Sequence, residues 1–207
     1  MLKISDLTIE KLRAGEVLKE LPEFYELKEI IEDNDWHAND TVFNHTLTTL
    51  EKLEFLLEKT KPEIKSHLNQ IITQNTRKQL LFLSTILHDL GKKETKTSRN
   101  NMVVFPHHEE VGAQKIKNIL DRFDLSEPEK KIITNIVKHH GDIHWILSPT
   151  NDKLEEQFEE FKRKFSDIFL ELILLGMADT LGGQLQDKHP NEFDFRINFY
   201  QKIIDNH

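Results

Sequence analysis

The stretch Leu80-Leu81-Phe82-Leu83-Ser84-Thr85-Ile86-Leu87-His88-Asp89-Leu90-Gly91-Lys92-Lys93 is an apolar helical run that ends in a His-Asp pair and then a glycine. Neighbouring residues on a helix diverge by about 100°, so His88 and Asp89 are not expected to pair with each other. Near a helix end both can reach one metal ion or two adjacent ions. An imidazole with a hard carboxylate suits Zn, Fe, Mn, Ni or Mg. The same string also reads as an ordinary helix end, with His88 complementing the helix dipole, Gly91 as a left-handed stop, and Lys92 and Lys93 suited to the last turn. The doublet alone does not choose between these readings.

The rest of the chain sets limits. Its 207 residues suffice for one well-buried domain. With 36 acidic against 28 basic residues and a net charge of −8, a general polyanion-binding surface is not expected. The absence of cysteine excludes disulfides, thiolate metal sites and cysteine nucleophiles, so any metal must be held by His, Asp, Glu and water. The first residues lack the pattern of a secretory signal. The longest apolar stretch, residues 168–178, is interrupted by Glu171 and falls short of the ~20 residues of a membrane span. A soluble cytoplasmic protein is the expectation.

Almost every segment has helical period. Residues 7–14 predict a short helix stopped at Gly15, and 22–31 a second with Pro22 in its first turn. Asp40 is a candidate cap for a helix carrying Val42, Phe43, Leu47, Leu50, Leu53, Leu56 and Leu57, with His45 in its first turns. Pro62 opens a helix through Ile64, Leu68, Ile71 and Ile72, and the His-Asp helix follows. Residues 91–106 read as the longest loop. Beyond it, Val111, Ile116, Ile119 and Phe123 mark one helix. Ser126 and Glu129, at capping-box spacing around Pro128, open another that reaches His139-His140 before Gly141. Helices also follow around Phe158, Phe161 and Phe165, through residues 168–182 to Asp179 and Gly182-Gly183, and over 192–204. The predicted class is all-α, one helical domain.

His45, His88, Asp89, His108, His139 or His140, and Asp179 all fall near predicted helix ends whose apolar faces would draw them round one core. So many residues of metal-ligand type on separate helices point to a site.

The order His45, His88-Asp89, Asp179 resembles the HD superfamily of metal-dependent phosphohydrolases. The strings Phe43-Asn44-His45-Thr46-Leu47, His88-Asp89-Leu90-Gly91-Lys92, His107-His108-Glu109-Glu110-Val111-Gly112-Ala113 and Ala178-Asp179-Thr180-Leu181-Gly182 look like the HD domain of bacterial CCA-adding tRNA nucleotidyltransferases and its stand-alone relatives. The similarity runs over residues 36–183, with 1–35 as an N-terminal helical extension and 184–207 as a C-terminal helix. No counterpart of the nucleotidyltransferase head is present, since Asp33-Asn34-Asp35 reads as helical context, so tail addition to tRNA is not expected.

The resemblance implies that His45, His88, Asp89 and Asp179 hold one divalent ion, drawn from Mn, Fe, Ni, Co, Zn or Mg. It further implies that Asp89 bridges to a second ion held by His108 and His140, with His139 in reserve. Lys92 would steady charge on a phosphoryl oxygen. Lys93, Arg99 and His144 are candidate substrate contacts, although Gly141 argues against helix continuing to His144, and Trp36-His37 is a candidate pocket wall. The implied activity is hydrolysis of a phosphomonoester or cyclic phosphodiester of a nucleotide or RNA end, of the 2′,3′-cyclic phosphodiesterase or phosphatase type. A 5′-nucleotidase and a non-catalytic HD-fold sensor or adaptor are the alternatives. Gly141-Asp142-Ile143 in place of a Gly-Tyr-Pro motif disfavours cyclic dinucleotides, and Gly91-Lys92-Lys93 disfavours a guanosine tetraphosphate hydrolase. Oligomeric state is not legible.

Overall fold

Thr8 starts the first helix by accepting the Lys11 amide on its Oγ1 at 3.3 Å, which satisfies one of the amides a helix start leaves unpaired. That helix, α1 (Ile9–Ala14), stops at Gly15, whose φ of +81° is a conformation glycine adopts without strain. The structure is a computed structural model, and it describes residues 1–33, 38–100 and 102–207.

Pro22 opens α2 (Pro22–Glu26), but the helix predicted over 22–31 does not last. It tightens into one 3-10 turn, Leu27–Glu29, and the chain then extends as β1 (Ile31–Asp33), pairing antiparallel with β2 (Ala38–Thr41). The β-branched pair Ile30-Ile31 favours extended backbone, and Asp33 lies on a strand instead of a helix. Asn34, Asp35, Trp36 and His37, including the candidate pocket wall, lie outside the described residues. The cap of α3 (Val42–Lys59) is Thr41, which accepts the Asn44 amide at 3.2 Å; Asp40, one residue early, instead accepts the Thr41 amide and the Asn44 side chain.

Helix α4 (Pro62–Leu68) ends before Ile71 and Ile72, where the chain doubles back through Ile72 N–H to Asn75 O and Arg77 N–H to Gln70 O. Thr76 and Gln79 cap each other reciprocally to begin α5 (Arg77–Leu87). The segment read as a loop contains α6 (Lys92–Thr95) and a hairpin of β3 (Thr97–Arg99) with β4 (Met102–Val104). After them come α7 (His108–Leu120), α8 (Glu127–His139), α9 (Asp142–Ile146), α10 (Leu154–Lys164), α11 (Phe169–Gly182), α12 (Leu185–Lys188) and α13 (Pro190–Asn206).

The fold is mainly helical, with two small hairpins added to the all-α expectation. Helix α11 runs along α3, α5 crosses α8, and α7 lies beside α8. One side of this layer buries Phe24, Leu50, Leu80, Leu83, Phe123 and Val137; the other buries Leu53, Ile64, Leu81, Ile136, Leu172 and Tyr200. Each such side chain contributes roughly 1.5–3 kcal/mol by leaving water. Helix α11 is apolar nearly all round, which suits a helix with neighbours on every face. Among the described residues no helix is long and apolar enough to cross a membrane.

Candidate metal centre

Helix ends converge on one spot between the two halves of the core. His45 comes from the first turns of α3, His88 and Asp89 from the end of α5, His108 from the start of α7, His140 from the end of α8, His144 from α9 and Asp179 from the last turns of α11. His45, His88, Asp89 and His140 are buried. His88 and Asp89 do approach each other, with Nε2 and Oδ2 3.1 Å apart, at the point where the helix has ended and His88 is its C-cap.

The histidines are oriented by a repeated device. His88 Nδ1–H donates to Thr85 O at 2.7 Å, His108 Nδ1–H to Phe105 O at 3.0 Å, and His140 Nδ1–H to Val137 O at 2.7 Å, each three residues back. Such a bond fixes the tautomer and leaves the Nε2 lone pair facing inward. The carboxylates complete the arrangement. Asp179 Oδ1 lies 2.7 Å from His45 Nε2 and 3.9 Å from His88 Nε2, while its Oδ2 lies 2.9 Å from His144 Nε2.

Asp89 faces two ways. Its Oδ2 lies toward His88 and, at 3.9 Å, His45 Nε2; its Oδ1 lies 3.4 Å from His108 Nε2 and 3.7 Å from His140 Nε2. Apart from the Lys92 ammonium beside Asp89 Oδ2, neither Asp89 Oδ1 nor His88 Nε2 has a hydrogen-bond partner of good geometry. Buried polar atoms left so are rare and costly. Two groups, His45 with His88 and Asp179, and His88 with Asp89 and His140, bring their donor atoms within 4.8 Å of one another. The residues present therefore fit a divalent cation.

Lys92 supplies the local positive charge. Its Nζ, buried, donates to Glu32 Oε1 at 2.7 Å and sits 2.8 Å from Asp89 Oδ2. Burial pulls its pKa down, but Asp89, Glu32 and Asp179 outweigh that and hold it above the ordinary lysine range. Burial would raise the Asp89 carboxyl; His88, Lys92, His108 and His140 together hold it well below the usual range. For Asp179, burial is likewise overcome by hydrogen bonds from His144 and His45, and its pKa is well below normal. Burial disfavours charged His45, yet Asp179 and Glu32 raise its pKa.

Other expected residues lie elsewhere. His139 points away from the centre, its Nδ1 3.0 Å from Asp142 Oδ2 and its ring 4.5 Å from that of Phe165. Lys93 pairs with Glu26 at 2.9 Å on the surface. Arg99, on β3, lines a neighbouring cleft and not that of the centre. His144 does face inward, because Gly141 keeps helical angles (φ −79°, ψ −19°) and the turn carries on into α9. Gly91, too, is right-handed (φ −74°), not a left-handed stop. Its lack of a side chain serves close approach: a Cβ there would meet His108 O at 2.0 Å and Gly112 N at 2.6 Å.

Three residues near the centre escaped the reading of the sequence. Glu32 falls just beyond the helix predicted over 22–31, where nothing in the sequence marks it as inward-facing. Arg196 on α13 is buried, donating to Glu192 and to His144 O. Trp145 stands exposed at the cleft's rim; a tryptophan beside His144 was the available signal. The cleft above the centre encloses about 390 Å³.

Comparison with known proteins agrees with this geometry. Residues 42–181 match the HD domain family. The chain is 27% identical over 201 residues to the "Multifunctional CCA protein" of Mannheimia succiniciproducens, covering 93% of this chain and 43% of that protein. It is 25% identical over 145 residues, 70% of this chain and 15% of the relative, to the "Bifunctional uridylyltransferase/uridylyl-removing enzyme" of Hydrogenovibrio crunogenus. The protein of the same description from Cereibacter sphaeroides is 24% identical over 120 residues, 58% of this chain and 12% of that protein. The chain thus spans less than half the length of these relatives. With the matched region covering most of its helices and all the converging histidines, the chain belongs to the HD-domain family of metal-dependent phosphohydrolases.

Proposed function

We propose that this chain hydrolyses a phosphomonoester or cyclic phosphodiester of a nucleotide or RNA end, of the 2′,3′-cyclic phosphodiesterase or phosphatase type. The observation that carries the reading is the two-faced Asp89, buried, with His88 Nε2 and the Lys92 ammonium beside Oδ2 and the Nε2 atoms of His108 and His140 beside Oδ1. His45, His88, Asp89 and Asp179 would hold one divalent ion, and Asp89, His108 and His140 a second. Such ions, when bound, draw charge from a phosphoryl oxygen and lower the pKa of a water toward neutrality.

The chain's own groups do the rest. The histidine Nδ1 bonds to the backbone hold the inward lone pairs, so little reorganisation is needed when substrate arrives. Lys92 lines the cleft and places positive charge beside Asp89, where a phosphoryl oxygen would gather charge. Glu32 restrains that amine from collapsing fully onto Asp89. His144 steers Asp179. The completeness of the inward-facing set favours an enzyme over an adaptor, and the resemblance of its motifs to the HD domain of CCA-adding tRNA nucleotidyltransferases favours an RNA end over a free nucleotide.

The test is hydrolysis of a chromogenic phosphomonoester, a phosphodiester and a panel of 5′-, 3′- and 2′,3′-cyclic nucleotides with Mn, Ni, Co, Mg or Zn. Wild type should turn over at least one, while His88→Ala and Asp89→Ala should lose 10³-fold or more, about 4 kcal/mol of transition-state stabilisation. A metal-loaded wild type as inert as both variants would leave the adaptor. Turnover of 5′-monophosphates alone would identify a 5′-nucleotidase.

A further inference from the structure

Helix α9 carries two neighbouring residues with opposite duties. Ile143 is buried and pins the helix to the core, Arg196 donates to His144 O at 3.0 Å, and His144 bonds Asp179 at 2.9 Å. Trp145, the next residue, is therefore held in place relative to the centre, yet it is 82% exposed and no ring or cation lies against it among the described residues. A large aromatic side chain on a rigid turn gives up its burial and gains nothing within the fold.

Its position is informative. Trp145, His108 and Glu109 are shared by the walls of two clefts. One, about 390 Å³, lies over the centre; the other, about 720 Å³, runs under the β3–β4 hairpin past Phe105 to Arg99. Both are of ligand size. Arg99 is exposed and forms no ion pair among the described residues. The acidic neighbour at the junction is Glu109, with Oε2 3.3 Å from His108 Nδ1.

Resting on the phosphohydrolase reading, we propose that Trp145 is a stacking platform for a nucleobase and that the second cleft receives the next nucleotide of a single-stranded RNA end, with Arg99 beside its phosphate. Stacking needs only a base's π-face, so it selects for nucleic acid without selecting a sequence. A mononucleotide fills the first cleft alone. A longer strand uses both, and this is what the wide second cleft and its unpaired guanidinium accommodate.

Calorimetric binding of adenosine, the diadenylate and the triadenylate, all ending in a 3′-hydroxyl, tests this on the full chain with Mn present and ligand integrity checked by mass. These ligands have no terminal phosphate to remove. Wild type should bind the triadenylate at least about tenfold tighter than adenosine. Trp145→Ala should weaken the base-bearing ligands about 5- to 150-fold, Trp145→Phe should recover most of that, and Arg99→Ala should narrow the gap between long and short ligands. An abasic trimer should bind wild type and Trp145→Ala alike. Trp145 is exposed, so loss of folding, read by circular dichroism, is not expected. Equal affinity for adenosine and the triadenylate, or an unaffected Trp145→Ala, overturns the inference even if phosphoesters are hydrolysed. Length- and Trp145-dependent binding without hydrolysis would instead sink the phosphohydrolase reading alone.

Discussion

In the proposed reading Asp89 is the residue on which the chemistry turns, since its two oxygens face different sets of histidines. Divalent ions should protect the folded protein by mass action: at one hundred times the dissociation constant the gain is about 2.7 kcal/mol. For a chain of this length that is roughly 5–10 °C in Tm. Differential scanning fluorimetry with Mn should show this rise in wild type and none in Asp89→Asn, which keeps the shape but offers a neutral amide. His45, His88, Asp89 and Asp179 were legible because metal-ligand types recur at predicted helix ends in a recognisable order. His139 was not separable from His140 by sequence, since adjacent positions differ only in direction. In the fold the two part: His140 is buried toward Asp89, while His139 meets Asp142 and Phe165.

The elements are aligned by a few close contacts. Gly91 brings the turn after α5 against the backbone of His108 and Gly112. A methyl group there meets backbone atoms that cannot rotate away, so Gly91→Ala should cost about 2 kcal/mol or more and push His108 from Asp89, measured as lost stability in urea and weakened metal binding. Glu129 ties α8 to the turn before α5. It is buried, with Oε1 accepting the Gln74 and Asn75 amides and Oε2 accepting from the Ser126 amide and hydroxyl. Burial alone would raise its pKa, yet these donors hold it down at about 2. A depressed folded pKa means stability that is present above the unfolded value near 4.5 and is lost as pH falls toward 2. Glu129→Gln should therefore cost about 2 kcal/mol at pH 7, and its deficit should shrink between about pH 4.5 and 2 in denaturant titrations. The capping spacing of Ser126 and Glu129 was readable; the reach of Glu129 to residues 74 and 75 was not, because tertiary partners leave no local pattern. The two hairpins were missed for a related reason. At three or four residues they are too short to show alternation, and their strand form depends on pairing.

At the scale of the molecule, the helical class followed from the period of the apolar residues, and their convergence followed from the need to bury those faces together. Helix α11 shows what burial of this kind demands. Its Glu171 is buried, bonded to Arg77 Nη1 at 2.7 Å and His67 Nε2 at 3.2 Å, so that its pKa stays low despite desolvation. Arg77→Met should cost about 3 kcal/mol, since it strands a buried charge, whereas replacing His67 alone should cost less because it is a longer contact on a more exposed side chain. The segments at the two ends, 1–35 and 184–207, read as accessories from sequence, yet the first places Glu32 against Lys92 and the second places Arg196 beneath His144. Glu32 in particular lies outside the stretch that matches the family. Transplanting the His-Asp motif with its immediate neighbours into another helical scaffold would carry the donors and leave behind their counterweight. The amine of Lys92 would then have one anion to answer instead of two, and would compete with any incoming cation for the same oxygen.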